Sequence, residues 1–347
     1  MKWVNEIKKY GLILLISCLF ACAAQNAYSQ RLQQNTSLDP VQLLMQSALK
    51  KKPLIFSKHP HVKLYFNKFL ILWKVFFKNL QTDEIESTSL EDQFNRYYHT
   101  VGAERKKFRI LAATRNFSHF NKDVLKGMRR LRNWCLDMRD RIKYATTSYQ
   151  RKMYMNRLYQ FQREWYQKFF GSSIQELSAD WAGFTTYYWR DNLTVAELAK
   201  LEKNKSAYLY LSQYYSIRFQ YLKRSASAAR KVRKYERQQG DPKKLVKSLK
   251  QELSNVKNAL VNLKKLHPPK LFQAFNNLES KRLMDLYKDT SLLVRIEKGI
   301  HQHVSREKID HWISEKDKTD KKMQQQFQKI QKTYKFAMQQ ALGEDSP

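Results

Sequence analysis

Between Pro60 and Pro242 the chain runs for 181 residues without a proline. The full 347 residues contain only eight glycines. Proline removes a helical hydrogen bond and glycine costs backbone entropy, so a stretch lacking both favours long, uninterrupted helices. No segment sustains the strict alternation of a half-buried strand. The expected fold class is all-α: an elongated multi-helix bundle with coiled-coil-like seams and long helices.

The seams are explicit. Met128, Leu131, Cys135, Met138, Ile142, Ala145 and Tyr149 are spaced three and four residues apart in turn. Val246, Leu249, Leu253, Val256, Leu260 and Leu263 keep the same alternation. Such a stripe requires a partner helix. Cys135 falls within the first seam and is expected to be a small buried hydrophobe. The other two cysteines, Cys18 and Cys22, lie near the N-terminus, so no internal disulfide framework is expected.

Residues 1–29 follow the order of an export signal: Lys2, Lys8 and Lys9, then the uncharged run Gly11 to Ala24, then small polar residues. That run is shorter than the ~20 residues a spanning helix needs. Ala27 and Ser29 sit at −3 and −1 from a cut before Gln30. Leu15-Ile16-Ser17-Cys18 and Leu19-Phe20-Ala21-Cys22 resemble bacterial lipoprotein signals, so lipidation at Cys18 or Cys22 is an alternative fate, as is a retained anchor. Each places the protein outside the cytoplasm: periplasmic, envelope-associated or secreted.

Residues 30–60 contain Pro40, Pro53 and Pro60 and are expected to form a tether with one short helix near Val41 to Leu49. An N-terminal helical domain then occupies 61–239, and a C-terminal helical hairpin or three-helix region occupies 240–347. Gly240-Asp241-Pro242 marks that boundary as a glycine stop, an Asp cap and a first-turn proline. Asn121 is a candidate cap, and Gly171-Ser172-Ser173 a candidate break. Thr194-Val195-Ala196-Glu197 is a capping-box pattern opening a helix that could run to Gln239.

Val62 to Leu80 is the most apolar stretch after the leader. Its Lys63, Asn67, Lys74 and Lys78 share one helical face. The opposite arc suits a core helix. It also suits a membrane-interface helix, for which Phe66, Leu70, Trp73 and Phe77 would be the inserted residues.

Charge sets the functional problem. The formal net charge is +34, and 42% of residues are apolar, too many for a disordered basic tail. Loss of residues 1–29 would leave +32. A field of that sign draws anionic partners. Arg105 to Lys168 holds 18 basic residues against 4 acidic ones, and Arg218 to Lys250 holds 12 against 2. In the second run Lys223, Arg230 and Arg237 recur every seven residues, with Arg224, Lys231, Arg233 and Lys234 beside them. These seven residues are the candidate anion-binding site. A solvated helix face is the plain alternative.

Three function classes remain. The first is an exported binding or scaffold protein on an anionic membrane or envelope polymer. The second is a secreted effector or assembly factor whose seams bind a protein partner or a second copy. The third is a helical glycan hydrolase using a carboxylate pair among Asp83, Glu84, Glu86, Glu91 and Asp92. Nucleic acid is disfavoured by the export signal and by the lack of any recognition motif. Trp181, Phe184, Tyr187, Tyr188 and Trp189 could stack on sugar rings, or form core. His301 and His303 point about 200° apart on a helix and cannot share an ion while helical. His59, His61 and His311 add no ligand set. No glycine-rich loop, nucleophile elbow or metalloprotease motif occurs, so neither a catalytic residue nor a cofactor or metal is expected.

Overall fold

The computed structural model describes residues 40–81, 89–111, 114–145, 147–237 and 241–343. The expected export signal with Cys18 and Cys22, its expected cut after Ser29 and the acids Asp83, Glu84 and Glu86 lie outside the described residues. Among the described residues the fold is all-α, with no strand. The helices are α1 (Pro40–Lys51), α2 (Pro53–Lys58), α3 (Pro60–Gln81), α4 (Leu90–Ile110), α5 (Ser118–Lys143), α6 (Ser148–Tyr187), α7 (Val195–Lys203), α8 (Lys205–Arg237), α9 (Pro242–Lys264), α10 (Lys270–His301) and α11 (Arg306–Ala341). The chain divides into two compact units after Trp181, within α6, rather than at Gly240–Pro242.

The first unit is built around aromatic side chains. Val62, Tyr65, Phe66, Phe69, Trp73 and Phe76 line one side of α3 and are buried. Lys63, Asn67, Lys68, Lys74 and Lys78 are exposed on the other. This amphipathic split fixes which face of α3 turns inward. Phe69 packs against Trp73, Phe108 and Phe120 at ring-centroid distances of 5.2, 5.2 and 4.9 Å. Phe56 of α2 stacks on Trp181 at 5.4 Å. Val41, Met45, Ile55 and Phe56 are buried as well. Residues 40–60 therefore belong to the packed unit and are not a tether. Their prolines start helices, where the missing N–H costs nothing.

α5 buries Met128, Leu131, Cys135, Met138 and Ile142, the expected seam, against α4 and neighbouring elements. Ala145 is buried just beyond the helix, but Tyr149 is exposed, so the seam ends one residue early. Burial pushes the Cys135 thiol up to about 12, so it stays protonated. Two local expectations fail. Asn121 does not cap α5, which starts at Ser118; it lies buried inside the helix. Gly171-Ser172-Ser173 does not break α6. Ser172 and Ser173 are buried, and their hydroxyls donate to Asp123 of α5 at 2.7 and 3.4 Å. Small hydroxyl residues here allow close approach and satisfy a carboxylate.

In the second unit α8, α9, α10 and α11 pack in chain order. Short connections make neighbours antiparallel. Tyr210 and Tyr214 of α8 meet Asn276 and Glu279 of α10 in rising order, as expected of parallel alternate helices. Tyr215 of α8 meets Tyr334 of α11 through their hydroxyls at 2.8 Å. Leu249, Val256 and Leu263 are buried in this unit's own core, with Val246 and Leu260 packed against it. The second seam thus finds its partners within the chain. Asp241 caps α9 by accepting from the Lys243 N–H at 2.9 Å, with Pro242 in the first turn. Gly343 ends α11 with φ +67°, a conformation that favours glycine.

Thr194 and Glu197 make both bonds of a capping box at α7. The helix they open stops at Lys203, however, and α8 is a separate helix of 33 residues, roughly 50 Å long at 1.5 Å per residue. Asn204 causes the break. Its backbone leaves the helical region, and its side chain accepts from the Ala207 N–H at 3.3 Å and from the Ser206 hydroxyl at 3.2 Å. An Asn side chain competing for backbone donors in this way favours a cap over a helix interior.

Candidate functional site

α8 positions most of the candidate anion-binding residues. Lys223, Arg224, Lys231 and Lys234 are exposed and Arg230 is partly exposed. At 3.6 residues per turn these five fall within an arc of about 120°. Ser216, Gln220 and Ser227 share that arc and are exposed too. No Asp or Glu occurs in α8 before Glu236. The exposed face therefore carries positive charge with no carboxylate from its own helix to offset it.

Arg233 does not belong to this face. It is only 6% exposed and lies on the helix side of Leu222, Ala226 and Ala229, which are buried. Counting charges along the sequence merges it with its neighbours, whereas helical periodicity separates it. The side chain of Arg237 is outside the described residues.

The opposite side of α8 is held by buried polar groups that charge counting did not reveal. Ser225 and Tyr221 donate to Glu252 of α9 at 2.5 and 3.5 Å, and Asn255 adds a bond at 3.2 Å. Burial pushes the Glu252 carboxyl up to about 7, although these three donors pull the other way. One turn lower on α8, Arg218 donates to the Tyr214 hydroxyl at 3.0 Å, and Tyr214 donates to Glu279 at 3.4 Å. Arg282 grips Glu279 through two bonds at 2.8 and 2.9 Å. Burial would raise the Glu279 pKa, but Arg282, Arg218 and Tyr214 outweigh it and hold the group low. A fork of this kind fixes orientation as well as charge. These contacts fix the rotation of α8 about its axis, and so decide which residues face water.

The membrane-interface residues proposed on α3 are placed differently. Phe66 and Trp73 are 1% and 0% exposed, and Leu70 and Phe77 are half-buried. They form the core of the first unit, so this face of α3 is not free to enter a lipid interface. Among the described residues no helix is long and apolar enough to cross a membrane.

The aromatic run 181–189 is likewise divided among packing roles. Trp189 stacks on Tyr215 at 4.9 Å with the rings 7° from parallel, and Phe184 is buried. Tyr187 alone of the five is strongly exposed, so no flat sugar platform results. Glu91 and Asp92 lie in the first turn of α4, where Ser89 accepts from the Asp92 N–H at 3.2 Å. That is a helix cap. Among the described residues no three His, Cys, Asp or Glu side chains gather as a metal site. His301, His303 and His311 are exposed, and the His59 and His61 rings meet edge to face at 5.8 Å.

Comparison with protein-family models, with curated proteins and with solved structures finds no match.

Proposed function

We propose that the protein is an exported, strongly basic helical binding or scaffold protein of the bacterial envelope, and that the exposed face of α8 engages anionic surfaces: acidic lipid headgroups or an acidic envelope polymer. The observation that carries this reading is the row Lys223, Arg224, Lys231 and Lys234, exposed on one side of a helix whose other side is locked into a bundle. A rigid row of like charges keeps its geometry when a surface arrives, so little ordering entropy is lost on binding. Each basic group close to an acidic membrane contributes roughly 1 kcal/mol, and this attraction fades beyond a Debye length of about 8 Å at physiological salt. Micromolar binding needs about 8 kcal/mol, so the row requires help from further basic groups of the +34 chain. The export-type leader supports the compartment.

The test compares retention on vesicles containing phosphatidylglycerol with retention on pure phosphatidylcholine, across a salt series. Binding confined to the acidic vesicles and falling steeply with salt is the expected result. Equal binding to both lipids would contradict the reading.

A further inference from the structure

A second basic cluster lies in the first unit, on the seam between α4 and α5. Tyr98, Gly102, Arg105 and Arg109 follow one line along α4. Leu125, Arg129 and Arg132 follow the facing line along α5. The two lines are tied together. Arg105 donates from Nε to the Leu125 carbonyl at 3.3 Å. Arg132 donates from Nη2 to the Tyr98 hydroxyl at 2.5 Å, and its guanidinium lies over the Tyr98 ring at 4.2 Å. Gly102 makes room for it: a Cβ there would come within 3.1 Å of Arg132 Nε. That Nε is buried with no hydrogen-bond partner among the described residues.

Among the described residues no carboxylate of α4 or α5 is paired with this cluster. The acids of α4 and α5 beyond the α4 cap are engaged elsewhere. Glu104 binds Lys107 at 2.8 Å and Asn79 at 3.2 Å. Asp123 takes Ser172, Asp137 pairs with Arg141 at 3.0 Å, and Asp140 pairs with Arg139 at 2.7 Å. The arginines therefore feel one another. Burial, and then the charges of Arg129, Arg109 and Arg132, lower the Arg105 pKa. Like charges held together by a fold store repulsion, which a bound anion relieves.

We propose that Arg105, Arg109, Arg129 and Arg132 form a binding site for phosphoryl anions on the α4–α5 seam. The guanidinium fork matches phosphate oxygens two at a time, which a lysine ammonium cannot do. Two of the four groups are fixed by the Leu125 and Tyr98 contacts, whereas Arg109 and Arg129 are exposed and free to close on a ligand. This site uses none of the α8 residues and does not depend on them. The phosphoryl group can come from a soluble polyphosphate or from a lipid headgroup.

The experiment uses the purified full chain at low salt, with tripolyphosphate as the soluble probe and phosphatidylglycerol vesicles as the headgroup probe. The variant Arg105→Gln/Arg109→Gln/Arg129→Gln should bind tripolyphosphate at least about tenfold more weakly. A Lys223→Gln/Arg224→Gln/Lys231→Gln/Lys234→Gln variant should keep its tripolyphosphate affinity within about twofold, which separates this site from the α8 face. Without ligand, the triple variant should keep the helix content of the parent by circular dichroism and still melt cooperatively; this distinguishes a lost site from a lost fold. Tripolyphosphate should raise the melting temperature of the parent and not that of the triple variant. The Lys variant Arg105→Lys/Arg109→Lys/Arg129→Lys, equal in charge, should bind more weakly than the parent. Loss of vesicle binding alongside tripolyphosphate binding assigns the headgroup as the source, and loss of tripolyphosphate binding alone assigns the soluble anion. Retention of tripolyphosphate affinity by the triple Gln variant, or full affinity in the Lys variant, would overturn the proposal.

Discussion

Lys316 of α11 is 3% exposed and lies between two buried carboxylates, Asp320 at 2.7 Å and Asp289 of α10 at 3.4 Å. Removing one charge from such a group leaves the others buried and uncompensated. Lys316→Met should therefore cost ~3–5 kcal/mol, read as a lowered urea midpoint. Restoring neutrality with Asp289→Asn and Asp320→Asn in the same chain should recover much of that loss; no recovery would mean that packing, not charge, is responsible. Glu252 gives a pH dependence of definite sign. Its folded pKa of about 7 lies above the unfolded value, so the folded state holds the extra proton between the two. The contribution of this group is present below the unfolded pKa and is lost as pH rises towards about 7. Tyr221, Ser225 and Asn255 face it and donate to it. In Glu252→Gln, stability measured by urea unfolding should fall less between pH 5 and pH 7 than in the parent. Identical slopes in the two proteins would contradict the assignment.

At the scale of the helices, Thr194 and Trp73 illustrate local and tertiary control. The capping box at Thr194 was legible because it depends on residues three apart and nothing else; Thr194→Ala should cost about 1 kcal/mol, measured by thermal unfolding of the full chain. Trp73 is fully buried among Phe69, Phe76, Phe77 and Phe108, so Trp73→Ala should cost ~3–5 kcal/mol in the same measurement. From its sequence alone the α3 face could have been core or membrane interface, since both demand the same amphipathic pattern. Only the presence of Phe108, Phe117, Phe120 and Trp181 against it decides. The start of α9 was readable from Asp241-Pro242, a cap and a first-turn proline that act within one turn of the helix end. The break at Asn204 and the continuity through Ser172 and Ser173 were not. The first turns on whether one side chain caps or points out; the second turns on Asp123, 49 residues away from Ser172. The candidate site was legible as a charge run, and periodicity then removes Arg233. The arginine cluster on α4 and α5 was hidden, because its members come from two helices whose register no local pattern reveals.

At the level of the whole molecule, the proposed function combines an expected export signal with two helical units and a net charge of +34. The expected export signal can be tested separately. Mass analysis of protein recovered from the envelope fraction should find a chain beginning at Gln30; an intact Met1 would contradict cleavage, and a lipid-modified Cys22 would move the protein to the lipoprotein route. The proposed function rests on the α8 face. Its most direct test is the variant Lys223→Gln/Arg224→Gln/Lys231→Gln/Lys234→Gln, all at exposed positions, so that the buried side of α8 and its bonds to Glu252 and Glu279 stay in place. Affinity for phosphatidylglycerol vesicles is measured across a salt series for parent and variant, with circular dichroism confirming equal helix content. Weaker binding and a shallower dependence on salt are expected in the variant, with neutral vesicles bound poorly by both. Unchanged affinity and an unchanged salt slope would contradict the proposed function, and would leave the α8 row as no more than a solvated helix face.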